Sequence, residues 1–559
     1  MTSRSLPVLD LAPPAVPAAG PRDPFLPDDE RLAEFRPEVR SLPSFFVWTL
    51  GCQMNKSDSE EMAGRLLAAG CPEAPAMDAA DLVVINTCAI REDAEAKVIG
   101  RQGHLGRLKS ANPGMRVVMT GCSVRESNRA GLARRYPAVD LFLRPDEEPE
   151  LIDRLGIASA QAPVGALAIT AATTVVKGVA VSDAAHLVRA RADAVASGAV
   201  NRGSAISAWL PIIYGCDKSC TYCIVPFSRG PERSRPFDEI VDEARALAAA
   251  GYREVTLLGQ NVNSYGHDLE AEGRFGHVVT ARTVGRQQDR VARPDLAELI
   301  RAVDGLRGAG EARGASDAGG APAIPRLRFV TSHPWDLSDR LIEAMRDCPS
   351  VCASLHLPVQ SGSDAMLRRM GRQYTIEHYR ERLGRIREAI PGITLSTDVI
   401  VGFCGETEVE YEDTLRLLEA VRYDQVFAAA YSERPGTPAT RLVDDVPAAE
   451  KRRRLVALLE IQEEIGLERN RAWLGRTAQV LVDTVVPARA RDHDMDDEDG
   501  GTAASRDAFA RLPGGVVHLL GRSRESKLVH LAGSPDLLGR EVLVTIDHAG
   551  PYALRGTLA

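Results

Sequence analysis

Six short apolar runs between residues 209 and 432 alternate with helical patterns, and this alternation limits the fold more than any other feature of the chain. The runs are 209–215, 254–260, 326–332, 352–358, 394–401 and 425–432, and the helical stretches between them are 237–250, 294–303, 337–346, 376–389 and 406–421. Such a pattern predicts a parallel α/β sheet with right-handed crossovers, open or partly closed as a barrel. Interruptions at about 267–293 and 306–324 have the Gly, Ala and Arg content of surface loops. Ligands of such folds gather at the carboxyl ends of the strands. Those ends carry Gly215-Cys216, Gln260-Asn261, Ser332-His333, Gln360-Ser361-Gly362, Phe403-Cys404-Gly405-Glu406 and Glu433-Arg434-Pro435-Gly436. Gly, Ser and Asn are also ordinary turn formers.

The first of these ends holds Cys216, Cys220 and Cys223, a C-x3-C-x2-C triple. Thiolates this close can hold one cluster or one metal. Structural zinc takes four ligands, and the nearest downstream histidine is His267, so a local zinc site is incomplete. A [4Fe-4S] cluster on three thiolates leaves one iron open to a substrate or cofactor.

A second set lies upstream. Runs at 45–51, 82–87 and 117–121 lead into Cys52, Cys88 and Cys122, which fall 36 and 34 residues apart. That is the length of a strand-helix-strand unit. Ser57 or Asp58 can cap a helix that stops at Gly70, and 92–109 reads as another. Parallel strands would bring the three cysteines to one sheet edge. The alternative is three small buried hydrophobes, and Cys71, Cys348, Cys352 and Cys404 are read in that way.

Ten cysteines in 559 residues are too few for a disulfide scaffold. No apolar run approaches the roughly 18–20 residues of a membrane span. The Pro- and Ala-rich stretch 1–42 lacks the apolar core of a secretory signal and reads as a disordered leader, with the cytoplasm as the expected location. The net charge of −9 argues against nucleic acid, but it is uneven. Residues 492–499 are acidic, while cations cluster at 229–235, 451–454 and 522–527. Charge runs of this kind are most often solvated faces. Residues 449–471 read as a basic amphipathic helix. Five short β-like runs follow, at 478–485, 516–520, 528–531, 541–546 and 553–558, interrupted by an insertion at about 488–513. They predict a small all-β barrel, a common nucleic-acid-binding architecture.

These motifs carry a resemblance. Tyr214-Gly215-Cys216, Cys220-Thr221-Tyr222-Cys223 and Arg229-Gly230-Pro231-Glu232-Arg233-Ser234-Arg235 resemble the radical S-adenosylmethionine (SAM) superfamily, and more narrowly its methylthiotransferases. Thr49-Leu50-Gly51-Cys52-Gln53-Met54-Asn55, Asn86-Thr87-Cys88, Thr120-Gly121-Cys122, Leu258-Gly259-Gln260-Asn261 and Leu355-His356-Leu357-Pro358 extend the likeness. It is strongest to the bacterial branch acting on N6-(dimethylallyl)adenosine at tRNA position 37. The family's N6-threonylcarbamoyladenosine and ribosomal-protein aspartate branches are the alternatives, and a zinc- and RNA-binding protein is the reading from another class. Where the family usually has Pro in the turn after residue 403, this chain has Cys404.

The resemblance implies a leader (1–42), an open α/β methylthiotransferase domain (43–150), a linker or insertion (151–201), a partial (βα)6 radical SAM core (202–471) and a TRAM RNA-binding barrel (474–559). It implies two [4Fe-4S] clusters: a radical-generating one on Cys216, Cys220 and Cys223, and an auxiliary one on Cys52, Cys88 and Cys122. SAM would bind the open iron of the first cluster and yield the radical that takes hydrogen from adenine C2, with the auxiliary cluster supplying sulfur. No acid or base is assigned. Gln260, Asn261, Ser332, Gln360, Asp398 and Arg434 are candidate SAM contacts, and Arg522, Arg524 and Lys527 candidate RNA contacts. Expected partners are tRNA, an electron donor such as flavodoxin or ferredoxin, and iron-sulfur assembly proteins. The expected state is a monomer with no membrane association.

Overall fold

A computed structural model of the chain describes residues 42–89, 92–157, 174–176, 179–181, 184–196, 198–269, 294–307, 321–486 and 515–559. The predicted leader before residue 42, residues 158–173 of the stretch 151–201, most of the stretch 267–324, the insertion 488–513 and the acidic run within it lie outside the described residues.

Four parallel strands open the fold in sequence order: β1 (Phe45–Leu50), β2 (Leu82–Thr87), β3 (Arg116–Thr120) and β4 (Leu141–Phe142). Every residue of β1, β2 and β3 is buried, as expected of a parallel sheet covered on both faces. Helices α1 (Gln53–Ala68) and α2 (Glu92–Ala111) make the crossovers. The start of α1 corrects the expected cap. Cys52 holds the N-cap position, and Ser57 and Asp58 are buried inside the helix. Asp58 is drawn there by an arginine 171 residues away, a partner no local capping rule contains.

Part of the stretch expected to be a linker has structure. Helix α3 (Ala184–Ala196) packs against the first module, where Arg65 donates to the Ala190 carbonyl at 2.5 Å. Its Arg191 is fully buried and pairs with Glu243 at 2.7 Å in the second module.

The second module has six parallel strands in two sets. One is β5 (Ser207–Pro211), β6 (Glu254–Leu258) and β7 (Arg326–Phe329); the other is β8 (Ser354–His356), β9 (Thr394–Val401) and β10 (Gln425–Ala430). A parallel bridge between Leu327 and Val351 joins the sets. Among the described residues β5 and β10 do not pair, so the barrel is partial. Between the strands run α4 (Phe237–Ala249), α5 (Leu296–Asp304), α6 (Asp339–Asp347), α7 (Ile376–Ala389) and α8 (Glu408–Val421). The last four start at side-chain caps: Asp295, Ser338, Thr375, and Thr407 in a capping box with Glu410. Leu395, Val399 and Val401 of β9 turn toward the helices and the main core. His356, Ser396, Asp398 and Phe427 occupy the opposite, half-open face of the strands.

The first strand is shorter than predicted. Pro211 has no N–H to extend a ladder, and the chain leaves the sheet there. Ile213-Tyr214 then pairs antiparallel with Arg233-Ser234. This two-residue clasp closes the loop that carries the cysteine triple.

Helix α9 (Ala448–Arg471) leads to the last module. There β11 (Thr477–Val485), β12 (Val517–Ser523), β13 (Leu528–Gly533), β14 (Glu541–Ala549) and β15 (Ala553–Leu558) close a barrel in the order β11-β12-β13-β15-β14. Its 522–527 turn docks on the amino ends of the larger barrel's strands. Arg326 is buried, with Nε on Glu541 at 2.5 Å and Nη1 on the Arg522 carbonyl at 2.6 Å. Arg328 reaches the Ser523 carbonyl at 2.8 Å and Ser526 Oγ at 2.6 Å. The small barrel therefore sits at the end of the larger one opposite the cysteine loop.

Candidate functional site

The three upstream cysteines converge because their strand ends are pinched together. A Cβ on Gly51 would lie 2.8 Å from the Cys88 Cβ, and one on Gly121 would lie 2.3 Å from the Thr87 carbonyl oxygen. Glycine is therefore required before Cys52 and before Cys122. Two asparagines lace the loops. Asn55 Nδ2 donates to Asn86 Oδ1 at 2.7 Å, and Asn86 Nδ2 donates to the Asn55 carbonyl at 2.8 Å. The Cys52 thiol donates to Asn55 Oδ1 at 3.2 Å. Cys88 and Cys122 are buried. Burial pushes the Cys122 thiol up, opposed by the Arg229 guanidinium beside it.

The second triple lies across the mouth of the partial barrel. Gly215 has φ +70°, and a Cβ there would stand 2.1 Å from the Pro231 carbonyl oxygen. The Cys216 amide donates to the Gly230 carbonyl at 3.1 Å, closing the clasp. The other side of the loop is tied to residues 369–372: the Thr221 amide donates to the Met370 carbonyl and its hydroxyl to the Arg369 carbonyl. Arg372, itself buried, donates to Cys220 Sγ at 3.3 Å and to the Pro358 carbonyl at 2.9 Å. Burial pushes the Cys216 and Cys223 thiols up to about 12. Such thiols ionise when a metal displaces the proton and supplies the balancing positive charge. Among the described residues no three His, Cys, Asp or Glu side chains are close enough to hold a single ion.

The predicted SAM contacts divide into two groups. Gln260, Asn261 and Ser332 stand together at the ends of β6 and β7, where the Val262 amide donates to the Thr331 carbonyl. Gln260 Oε1 and Ser332 Oγ are buried without a hydrogen-bond partner, as expected of groups awaiting a polar ligand. Asn261 is committed within the chain, its Nδ2 to Asp336 at 2.7 Å and its Oδ1 to the His333 amide at 3.2 Å. Gln360, Asp398 and Arg434 belong to the other half of the barrel. Gln360 is held at φ +72°, a strained value for a residue with a side chain. Asp398 faces His356 at 3.4 Å, and Arg434 donates to Ser432 Oγ at 3.1 Å.

Sequence reasoning gave no role to several neighbours of the loop. Lys218 pairs with Asp336 at 2.7 Å. His333 is kept neutral: burial, with Arg372 and Lys218 nearby, lowers it to about 2. Arg372 lies outside every motif singled out in the sequence, so nothing pointed to it. Arg229 was inside a quoted motif, but its partners come from the other module.

Two of the three predicted RNA contacts, Lys527 and Arg524, are corrected, because their side chains are taken up within the chain. Lys527 is buried, with Nζ on Asp424 at 2.7 Å and on Asn470 Oδ1 at 2.9 Å. Arg524 donates to the Pro325, Pro349 and Val351 carbonyls. The Arg522 carbonyl accepts from Arg326. This turn is a dock between two barrels and not an open cationic face, because the carbonyls at the strand starts need donors. Cys71, Cys348, Cys352 and Cys404 are all buried in packing, as read.

Residues 210–418 match the family model of the radical SAM superfamily, and residues 44–144 match that of uncharacterized protein family UPF0004. Together with the partial barrel and its cysteine loop, they define a radical SAM enzyme with an added N-terminal α/β module. A tRNA-2-methylthio-N(6)-dimethylallyladenosine synthase from Roseiflexus sp. (strain RS-1) is 36% identical over 96% of this chain and 93% of its own length. One from Clostridium botulinum (strain Loch Maree / Type A3) is 35% identical over 93% and 98%. The chain belongs to this family of synthases. Among solved structures, the radical SAM methyltransferase TsrM from Kitasatospora setae aligns at a TM-score of 0.42 with 14% identity, over 73% of this chain and 68% of its own.

Proposed function

We propose that the chain converts N6-(dimethylallyl)adenosine at position 37 of tRNA to its 2-methylthio derivative, using two [4Fe-4S] clusters and SAM. Cys216, Cys220 and Cys223 would hold one cluster, and Cys52, Cys88 and Cys122 the other. The observation that carries this reading is the pair of cysteine triples on two modules joined by a buried arginine: one triple at a barrel mouth beside orphaned polar oxygens, the other at a pinched sheet edge. Bound there, the cofactors supply a carbon radical for the C2 hydrogen of the adenine and a sulfur to replace it.

The chain's own residues bind, orient and exclude water. Gly215 and the 213–234 clasp shape the loop, and Arg372 steadies Cys220. Gln260 and Ser332 offer acceptors to SAM, with Gln360, Asp398 and Arg434 as further contacts from the facing strands. The half-open strand face with Phe427, which is 49% exposed, gives the flipped base an aromatic surface. The small barrel serves as the RNA-binding TRAM module through faces other than its docked turn. A one-electron donor such as flavodoxin or ferredoxin, iron-sulfur assembly proteins, a monomeric state and a cytoplasmic location complete the proposal. No helix among the described residues is long and apolar enough to cross a membrane.

Anaerobic reconstitution tests the cofactor reading. Wild type should bind about eight irons per chain, and Ala at either triple about four. Mass spectrometry of tRNA nucleosides tests the substrate: a strain lacking this gene should lose 2-methylthio-N6-dimethylallyladenosine and regain it with the chain. Its persistence in that strain refutes the assignment.

A further inference from the structure

Arg229 is where the two cysteine modules meet. Its backbone belongs to the barrel, six residues after Cys223 and directly after the short helix Val225–Ser228. Its side chain is 1% exposed and lies in the other module. There Nε donates to Cys122 Sγ at 3.1 Å and Nη2 to Asp58 Oδ2 at 2.6 Å. The third nitrogen, Nη1, is buried with no hydrogen-bond partner. A buried guanidinium seldom leaves a nitrogen idle, so this one is a donor without its acceptor, beside a cysteine read as a cluster ligand. Asp58 lies within α1, the helix that Cys52 caps, and fixes the plane of the fork. A planar guanidinium can serve Cys122, Asp58 and a third acceptor together, whereas an ammonium serves from a single point.

We propose that Arg229 is a positioning residue of the auxiliary cluster: it holds Cys122 in place and puts N–H donors on the cluster's sulfur, raising its reduction potential. This rests on the reading of Cys52, Cys88 and Cys122 as ligands of a second cluster. Hydrogen bonds and positive charge at the sulfurs stabilise the more electron-rich reduced state, so losing them moves the potential down. The arginine also ties the auxiliary cluster to the loop bearing the other one, since a single residue belongs to the backbone of one and the ligand shell of the other.

The full chain with Cys216, Cys220 and Cys223 all replaced by Ala isolates the auxiliary cluster. About four irons in that background establish the reading beneath the proposal, and no iron there refutes that reading and the proposal with it. Arg229→Lys and Arg229→Met are then introduced, and the midpoint potential is followed by EPR-monitored titration. A shift to more negative potential in both, larger for Met, is expected. Unchanged potentials in cluster-bearing variants overturn the proposal. Iron lost from both variants, with the apo-protein's urea melt as in wild type, supports the holding role. Iron lost together with the apo fold overturns it, because packing alone then accounts for the residue.

Discussion

Replacing Gly215 by alanine should empty the barrel-mouth triple while leaving the other intact. At φ +70° a residue with a Cβ carries about 1–2 kcal/mol of strain. The added carbon would also stand 2.1 Å from the Pro231 carbonyl oxygen, so the two strands of the clasp must part by about 1 Å to reach ordinary contact. That separation breaks the hydrogen bond from the Cys216 amide to the Gly230 carbonyl, a further loss of about 1 kcal/mol, and loosens the short ladder behind it. A sum of about 3 kcal/mol lowers the population of the native loop by about a hundredfold, since 1.4 kcal/mol is tenfold. Gly251→Ala is the matched control: its φ is +87°, but nothing lies within 4 Å of the added Cβ, so it bears the strain without the clash. Iron counted after anaerobic reconstitution should fall from about eight to about four in Gly215→Ala and stay near eight in the control. The reduced EPR signal that responds to added SAM should vanish with the lost irons. A Gly215→Ala protein with full iron and an unaltered SAM response would refute the argument that this glycine shapes the loop.

Three further outcomes follow from buried charges. Lys527→Met leaves buried Asp424 with Arg469 as its one remaining cation among the described residues; loss of a buried partner is worth about 3–5 kcal/mol, and limited proteolysis should release the C-terminal barrel at lower urea than in wild type. Glu243 is met by Arg191, Arg202 and Arg235, and although burial alone would raise its carboxyl, these cations bring it down to about 2. Glu243→Gln should therefore destabilise the joint between α3 and the barrel by a similar amount, read as a lower urea midpoint. His518 stacks on His530 and is lowered to about 4, first by burial and then by that neighbour. Between pH 6.5 and 4 the unfolded chain takes up this proton and the folded chain does not, so stability falls as pH drops through that window. Urea pulse proteolysis of the C-terminal barrel should show that loss in wild type and not in His518→Gln.

The periodic features were legible in the sequence because they are local. Strand and helix limits in the barrel came out within a few residues, and strand-length runs ending in Cys52, Cys88 and Cys122 pointed to one sheet edge. Features decided by distant residues were not legible. Asp58 looks like a helix cap until Arg229 arrives from another module. The strand predicted at 209–215 stops at Pro211 because a clasp, not a sheet, takes the residues after it. The cation clusters mislead for the same reason. Each reads as a phosphate-binding patch or a solvated face, yet in each the structure buries charge: Arg229 and Arg235, Lys451 and Arg454, and Lys527. Their acceptors are Asp58, Glu243, Glu406, Asp444 and Asp424. A run of cations reveals the donor half of an ion pair, and the fold alone supplies the other half.

That pattern explains how this chain sets the distance between its two cysteine triples. The barrel and the N-terminal sheet have separate apolar cores, and among the described residues the apolar cluster between them is small, built on Met54, Tyr214 and Leu258. Apolar contact is non-directional, and so small a patch fixes no angle. The joint is made instead by forked donors: Arg229 on Asp58 and Cys122, Arg191 on Glu243, and Arg125 on the Pro435 carbonyl at 2.5 Å. Buried ion pairs add little net stability, because desolvation offsets most of their attraction. They do penalise misalignment, since any shift leaves a charge buried and alone. The proposed reaction, which would move sulfur from one module to a base activated at the other, needs that kind of joint: misplacement by about 1 Å can cost a hundredfold in rate. The density of arginines at this seam is the structural form of that requirement.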